Sequence, residues 1–270
     1  FKCKFCHWVH VLNRGGYRTR SVGNVIKELM YIEKEFPGVK EVFIEDDTFT
    51  ADSKRVNKFC DEKIKKGLDI PWSCNARADV PLETLEKMKK AGCRLLCVGF
   101  ESGSQEVLNN VSKGTTLDRM KQFMKNTKTA GILVHGCFMV GNMGESAETI
   151  KGTIKLAKKL NPDTAQFFPI MVYPGTPTYD YFKDQGWLVT EDYSKWVDEK
   201  GWHNCMVSRP GLSNLELVDW CDKARMDFYL RPSYMARKLL QVVTQPKERK
   251  RIAKAGKTFL KYFAKRGGAK

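Results

Sequence analysis

No apolar run in these 270 residues approaches the ~18 needed to span a bilayer, and the first residues show no signal-peptide pattern. A second Cys-x-x-Cys is missing, which removes the usual partner of a four-ligand structural zinc site. Nine cysteines spread over this length do not make a disulfide scaffold. Cys74, Cys97 and Cys137 sit singly in apolar runs and read as reduced core thiols. Acids are scarce in one place above all: residues 235–270 hold 12 Lys and Arg against one Glu. That stretch carries net +11 of the chain's +16, so the remaining body is only mildly basic. No aromatic-interleaved RNA module accompanies the basic tail, which leaves nucleic acid the weaker reading of its charge.

What is present is a rhythm. Short apolar runs alternate with amphipathic helices and Gly or Pro stops from Ser21 to about Gly186. Ser21 reads as an N-cap, and Val22, Val25, Ile26, Leu29, Met30 and Ile32 fall on one helical side. Later helices carry Val56, Phe59, Cys60 and Ile64, then Leu82, Leu85 and Met88, then Leu117, Met120, Phe123 and Met124, then Ile150, Ile154, Ala157 and Leu160. Buried strands are expected over 39–44, around 71–75, and over 94–100, 132–140 and 165–172. Strands and helices alternating at this spacing predict parallel βαβ units, closed as a barrel or doubly wound. After Gly186 the rhythm breaks: Trp187, Trp196 and Trp202 lie in an irregular polar stretch. Ser213-x-x-Glu216 opens another helix as a capping box. The divisions expected are a barrel over 1–185, an extension over 186–232 and a basic helical tail over 233–270. Phe259, Leu260 and Phe263 share a side of the tail among Lys257, Lys261, Lys265 and Arg266, a pattern suited to an anionic membrane surface or to a solvated terminal helix.

Chemistry concentrates at the strand ends. Phe1-Lys-Cys-Lys-Phe-Cys6 places two thiols two residues apart, followed by His7-Trp8-Val9-His10 and a Gly15-Gly16 loop rather than a helix start. Zinc binding and thiol exchange remain open for that pair taken alone. Glu45-Asp46-Asp47 set three carboxylates side by side, which is costly without a cation or donors; a helix N-terminus also suits them. Alternation turns Ser73, Asn75 and Arg77 to one side. Glu101-Ser102-Gly103 and Gly141-Asn142-Met143-Gly144-Glu145 close the next two strands, and Tyr173-Pro174-Gly175-Thr176 the last. His135, within a strand, reads as a satisfied core histidine ahead of a catalytic one.

Taken in this order, these motifs resemble the radical S-adenosylmethionine (SAM) enzymes, whose signature is Cys-x3-Cys-x2-Cys. Cys3 and Cys6 match its second and third cysteines; the first would fall just before Phe1, so the chain is expected to begin inside the motif. The resemblance implies an α/β fold, a partial (β/α)6 barrel lacking its first strand, with a C-terminal helical extension. It implies a 4Fe-4S cluster on Cys3 and Cys6, and SAM held by Phe5, Glu45, Asp46, Asp47, Ser73, Asn75, Arg77, Glu101 and Gly141. The wording is similar to the cobalamin-binding subfamily, within it the hopanoid-biosynthesis-associated branch, so cobalamin would come from an N-terminal domain outside this chain. Methylation, cyclisation or rearrangement of a small or lipid-like substrate is then expected. An electron donor such as flavodoxin or ferredoxin and a cytoplasmic setting at the membrane periphery complete the expectation. An RNA-modifying member of the same superfamily is the rival enzyme, and a zinc or thiol-redox module the rival class.

Overall fold

The computed structural model describes residues 1–13, 16–197, 199 and 204–267, with side chains placed to residue 261 except that of Lys247. Gly15 and Trp202, the side chains of Phe263, Lys265 and Arg266, and the tail beyond residue 267 lie outside the described residues. The chain divides into two units, Phe1–Arg225 and Met226–Lys270.

The first unit is built on five parallel strands, β1 (Val42–Ile44), β2 (Trp72–Ala76), β3 (Cys93–Glu101), β4 (Leu133–Val140) and β5 (Thr164–Pro169). They lie side by side in chain order. That order decides between the two architectures left open by periodicity. Each right-handed crossover advances one strand in the same direction, so the connecting helices all fall on one face. A doubly wound sheet would need the order to reverse. The fold is therefore a partial barrel with one sheet face covered and the other turned inward.

The helices are α1 (Val22–Glu35), α2 (Ser53–Lys65), α3 (Leu82–Lys90), α4 (Gln105–Asn110), α5 (Leu117–Ala130), α6 (Ala147–Leu160), α7 (Pro177–Asp184) and α8 (Asn214–Tyr229), the last running into the second unit. Side chains of Ser21, Asp52, Ser104, Thr116, Ser146 and Thr176 accept N–H groups of the first turns of α1, α2, α4, α5, α6 and α7. Each such cap contributes about 1 kcal/mol and fixes where its helix begins. The short helices α4 and α7 are not evident from periodicity, because six or eight residues carry less than a full stripe. The buried stripe of α1 is also narrower than expected: Val22, Ile26 and Leu29 are buried, while Met30 is exposed. Ile64 of α2 is likewise exposed.

Alternate residues of each strand feed the core between sheet and helices. Phe100, Phe138 and Phe167 stack across β3, β4 and β5 at 5.5 and 5.2 Å. Phe49, Phe59 and Trp72 meet edge to face, and the Trp72 indole donates to the Ala91 carbonyl at 2.9 Å. The intervening residues face inward: Ser73 and Asn75, Cys97, His135 and Cys137, Thr164 and Gln166. Except for Ser73 they are half-buried or exposed.

In the second unit, α9 (Pro232–Thr244) and α10 (Arg249–Gly267) flank a short turn at Pro246–Glu248. Phe228, Tyr229 and Tyr234 form a ring cluster at 5.0 to 5.3 Å, with Phe259 packed on Tyr229 at 5.1 Å. Met235, Leu239, Leu240 and Val243 of α9 and Leu260 of α10 remain exposed. Among the described residues no helix is long and apolar enough to cross a membrane.

Candidate active site

The first twelve residues form a strap across the C-terminal ends of the strands, where the functional groups of barrel enzymes collect. The Lys4 amide donates to the Val111 carbonyl at 3.0 Å, and the Lys4 carbonyl accepts from the Thr178 amide at 3.3 Å. The strap is thus tied both to the loop after α4 and to the start of α7. His7 packs against Tyr173 at 5.4 Å, and a Cβ on Gly175, at φ +80°, would stand 2.9 Å from Val11. A single π-helical turn, Trp8–Leu12, follows the cysteines where the sequence suggested no helix. It is closed by the Asn13 amide on the Trp8 carbonyl at 2.7 Å, while the His10 ring meets the Cys3 carbonyl at 3.1 Å.

Cys3 is buried and Cys6 half-buried, and both are free thiols. Burial pushes the Cys3 thiol up, against the pull of the Lys113 ammonium and then the Arg77 guanidinium. Lys113 pairs with Glu101 at 2.7 Å and lies 5.8 Å from the Phe5 ring centre. Arg77 stacks over Phe1 at 4.0 Å and donates to the Lys113 carbonyl at 3.0 Å. Sequence reasoning missed Lys113. Its only signal is the tight Ser112-Lys113-Gly114 turn, with φ of +53° and +66° at its flanks, twelve residues after Glu101.

Glu101 itself is 5% exposed with φ +64°, beside an irregularity in the β3–β4 register between Gly99 and Glu101. A left-handed non-glycine residue costs about 1–3 kcal/mol. Here it turns the carboxylate back toward Lys113. Gly99 leaves the space, since a Cβ there would stand 2.2 Å from the Glu101 carboxylate.

The structure gathers some of the expected residues and separates others. Asn75 donates to the Asp46 carbonyl at 3.0 Å, Asp47 accepts from Asn13 at 2.6 Å, and Asp46 lies 3.8 Å from Arg55. Glu45, Asp46 and Asp47 are exposed at the rim. The helix-capping acid of this segment is Asp52, not one of the three. Ser73 shares the inward face but lies toward the entry end of its strand, donating to Glu41, which pairs with Arg94 at 2.8 Å. Gly141, at φ +93°, is approached closely by Leu217 of α8 and Ile170: a Cβ would meet them at 3.0 and 3.2 Å. His135 is a half-buried ring, its basicity lowered by burial, with Nδ1 2.7 Å from the Thr164 hydroxyl and Nε2 3.4 Å from the Gln166 side-chain oxygen. Cys97 and Cys137 are not core thiols; they lie on the inward sheet face with sulfurs 3.8 Å apart.

A family model described as the radical SAM superfamily matches residues 1–157. The chain is 31% identical over 242 residues to an uncharacterised methyltransferase, PH0819, of Pyrococcus horikoshii, across 89% of this chain and 51% of that protein. It is 32% identical over 190 residues to the anaerobic magnesium-protoporphyrin IX monomethyl ester cyclase of Rubrivivax gelatinosus, across 69% of this chain and 33% of the cyclase. The chain thus spans about half or less of these relatives. In fold it is similar to the cobalamin-dependent SAM radical enzyme OxsB, solved with aqua-cobalamin and SAM, at a TM-score of 0.69 and 18% identity, over 96% of this chain and 44% of OxsB.

One further carboxylate sits beneath this rim. Glu145 is buried; one oxygen accepts the Gly141 and Asn142 amides, and the other meets no hydrogen-bond donor in bonding geometry among the described residues. Burial outweighs those amides and the nearby Arg209, raising its pKa from 4.5 to about 7. Because the folded value is raised, this group's stabilisation is fully present below pH 4.5 and lost as pH rises to about 7. Urea unfolding of the parent and Glu145→Gln at about pH 4.5 and about pH 8 should show their stability difference changing by about 3 kcal/mol. An equal difference at both pH values contradicts the assignment.

Proposed function

This chain belongs to the radical SAM superfamily, and we propose that it is the catalytic domain of a cobalamin-type member that methylates, cyclises or rearranges a small, lipid-like molecule. The carrying observation is the position of Cys3: a buried thiol beside Lys113 and Arg77, on a strap across the C-terminal ends of the strands. The names of relatives, a methyltransferase and a cyclase, support the reaction class, as does the OxsB fold.

The donor set fits a thiolate-bound cluster. Cys3 and Cys6 supply sulfurs two residues apart in one turn, the Cys6 amide bonded to the Cys3 carbonyl at 3.1 Å. Iron-sulfur clusters take such thiolates, and neighbouring cations favour the charged form. A 4Fe-4S cluster bound there would supply the electron that cleaves SAM to a deoxyadenosyl radical. The protein's own residues bind and orient. Lys113 and Arg77 offer a carboxylate two cationic partners, held in place by Glu101 and Asp79 at 2.7 and 3.2 Å. Glu45, Asp46 and Asp47 offer an ammonium group acidic partners, and Asn75 fixes their loop. Phe5 presents an apolar ring to the same space, and the strap shields the mouth from water. Cobalamin would be brought by a domain of the whole protein, and the reducing electron by a flavodoxin or ferredoxin.

Exposed Met235, Leu239, Leu240 and Val243 on α9, with the basic residues of α10, suit an anionic lipid surface. That surface would deliver a lipid-like substrate.

Expressed at its full encoded length and reconstituted with iron and sulfide, the Cys6→Ala variant should lose the visible cluster absorbance and at least about 100-fold of its deoxyadenosine formation while remaining folded. Undiminished deoxyadenosine formation would refute the cluster assignment. Removing residues 246–270 should reduce co-sedimentation with phosphatidylglycerol vesicles; equal binding rules out the tail as the membrane contact.

A further inference from the structure

The inward face of the barrel carries a second set of soft donors that the strap site does not use. Cys97, His135 and Cys137 each offer one ligand atom, and the three atoms all lie within 4.8 Å of one another. Register puts them there. Cys97 pairs directly with His135 across β3 and β4, and Cys137 is the next inward residue of β4. Residue 99, opposite Cys137, is glycine, and the Glu101 carboxylate and Lys113 ammonium take up the space its side chain would fill.

We propose that Cys97, His135 and Cys137 bind a divalent cation of the zinc class, with a fourth coordination position open to the barrel interior. The sulfur separation argues for this. Two thiolates on one tetrahedral zinc, each at about 2.3 Å, stand about 3.8 Å apart, and the two sulfurs are 3.8 Å apart. A disulfide needs about 2.05 Å, and the two cysteines are diagonal rather than direct neighbours across the strands. Thr164, directly opposite His135 on β5, holds one ring nitrogen at 2.7 Å, the outer contact that fixes a metal-binding imidazole. Charge agrees as well. Glu101 acts on both sulfurs, and Glu45 on Cys97, as negative charge that a cation would offset, while Lys113, paired with Glu101 at 2.7 Å, acts on Cys137 in the opposite sense.

On binding, the two thiols lose their protons to solvent and the imidazole donates a ring-nitrogen lone pair, giving up the 3.4 Å contact of Nε2 with the Gln166 side-chain oxygen. Three protein ligands leave one site, as in catalytic rather than structural zinc centres. An oxygen or sulfur donor of a molecule inside the barrel is the class of ligand that position takes. This inference does not rest on the cluster: it concerns residues on the strands, and its test can be run without iron.

The chain carrying Cys3→Ser and Cys6→Ser, which removes the competing thiol pair, is titrated anaerobically with Co2+. One equivalent is expected, with sulfur-to-cobalt charge-transfer bands and the intense ligand-field bands of a tetrahedral site. Adding Cys97→Ser with Cys137→Ser should abolish the charge-transfer bands, and His135→Ala should weaken binding at least about ten-fold. Absent sulfur bands in the folded protein, or bands that survive the added substitutions, overturn the proposal. A second measurement needs no variant: in the unsubstituted chain Zn2+, and not Mg2+, should slow alkylation of Cys97 and Cys137, mapped by peptide mass spectrometry, at least about ten-fold. Equal modification with and without Zn2+ also overturns it.

Discussion

A parallel sheet whose strands follow one another in chain order can be covered by its own helices on one face only. Everything functional here follows from that constraint. The outward residues of β2 to β5 sink into an aromatic core, and the inward ones are left for a ligand. The short connections at the C-terminal edge then bring Glu45, Arg77, Glu101 and Gly141 to one rim, over which the first twelve residues lie.

The rim solves an electrostatic problem. In the proposed cluster site a thiolate ligand must carry charge, yet Cys3 is buried, which favours its protonated form. Lys113 and Arg77 work against that penalty, and each is itself held by a carboxylate, Glu101 and Asp79. The left-handed conformation of Glu101 and the missing side chain at Gly99 make the first of these pairs fit. Backbone strain, a glycine and an ion pair thus serve one purpose, the placement of positive charge beside the sulfur.

Much of this was legible in the residues. Alternation and helix stops located all five strands to within a few residues, and the Ser21 and Ser213 caps stand where their side chains predicted. The barrel was chosen by family resemblance; the observed strand order supplies the physical reason. Glu101, Arg77 and the acids of β1 could be found because they sit at strand ends. Lys113 could not, because an isolated lysine in a turn looks like any surface lysine until the fold sets it beside Cys3. Cys97 and Cys137 misled for the opposite reason: apolar neighbours in sequence suggested core, whereas pleating turns every second residue of the strand inward. Ser73 shares that face, but Glu41 and Arg94 at the entry end of the strands claim its hydroxyl.

A cluster iron that accepts SAM beside Lys113 is the centre of the proposed function. Its most direct test is the electron paramagnetic resonance spectrum of the dithionite-reduced, iron-reconstituted protein at its full encoded length, recorded with and without SAM. The account predicts a cluster signal whose shape changes on SAM addition, with Lys113→Ala requiring at least about ten-fold more SAM for the same change. A signal identical with and without SAM, or no cluster signal at all, would contradict it.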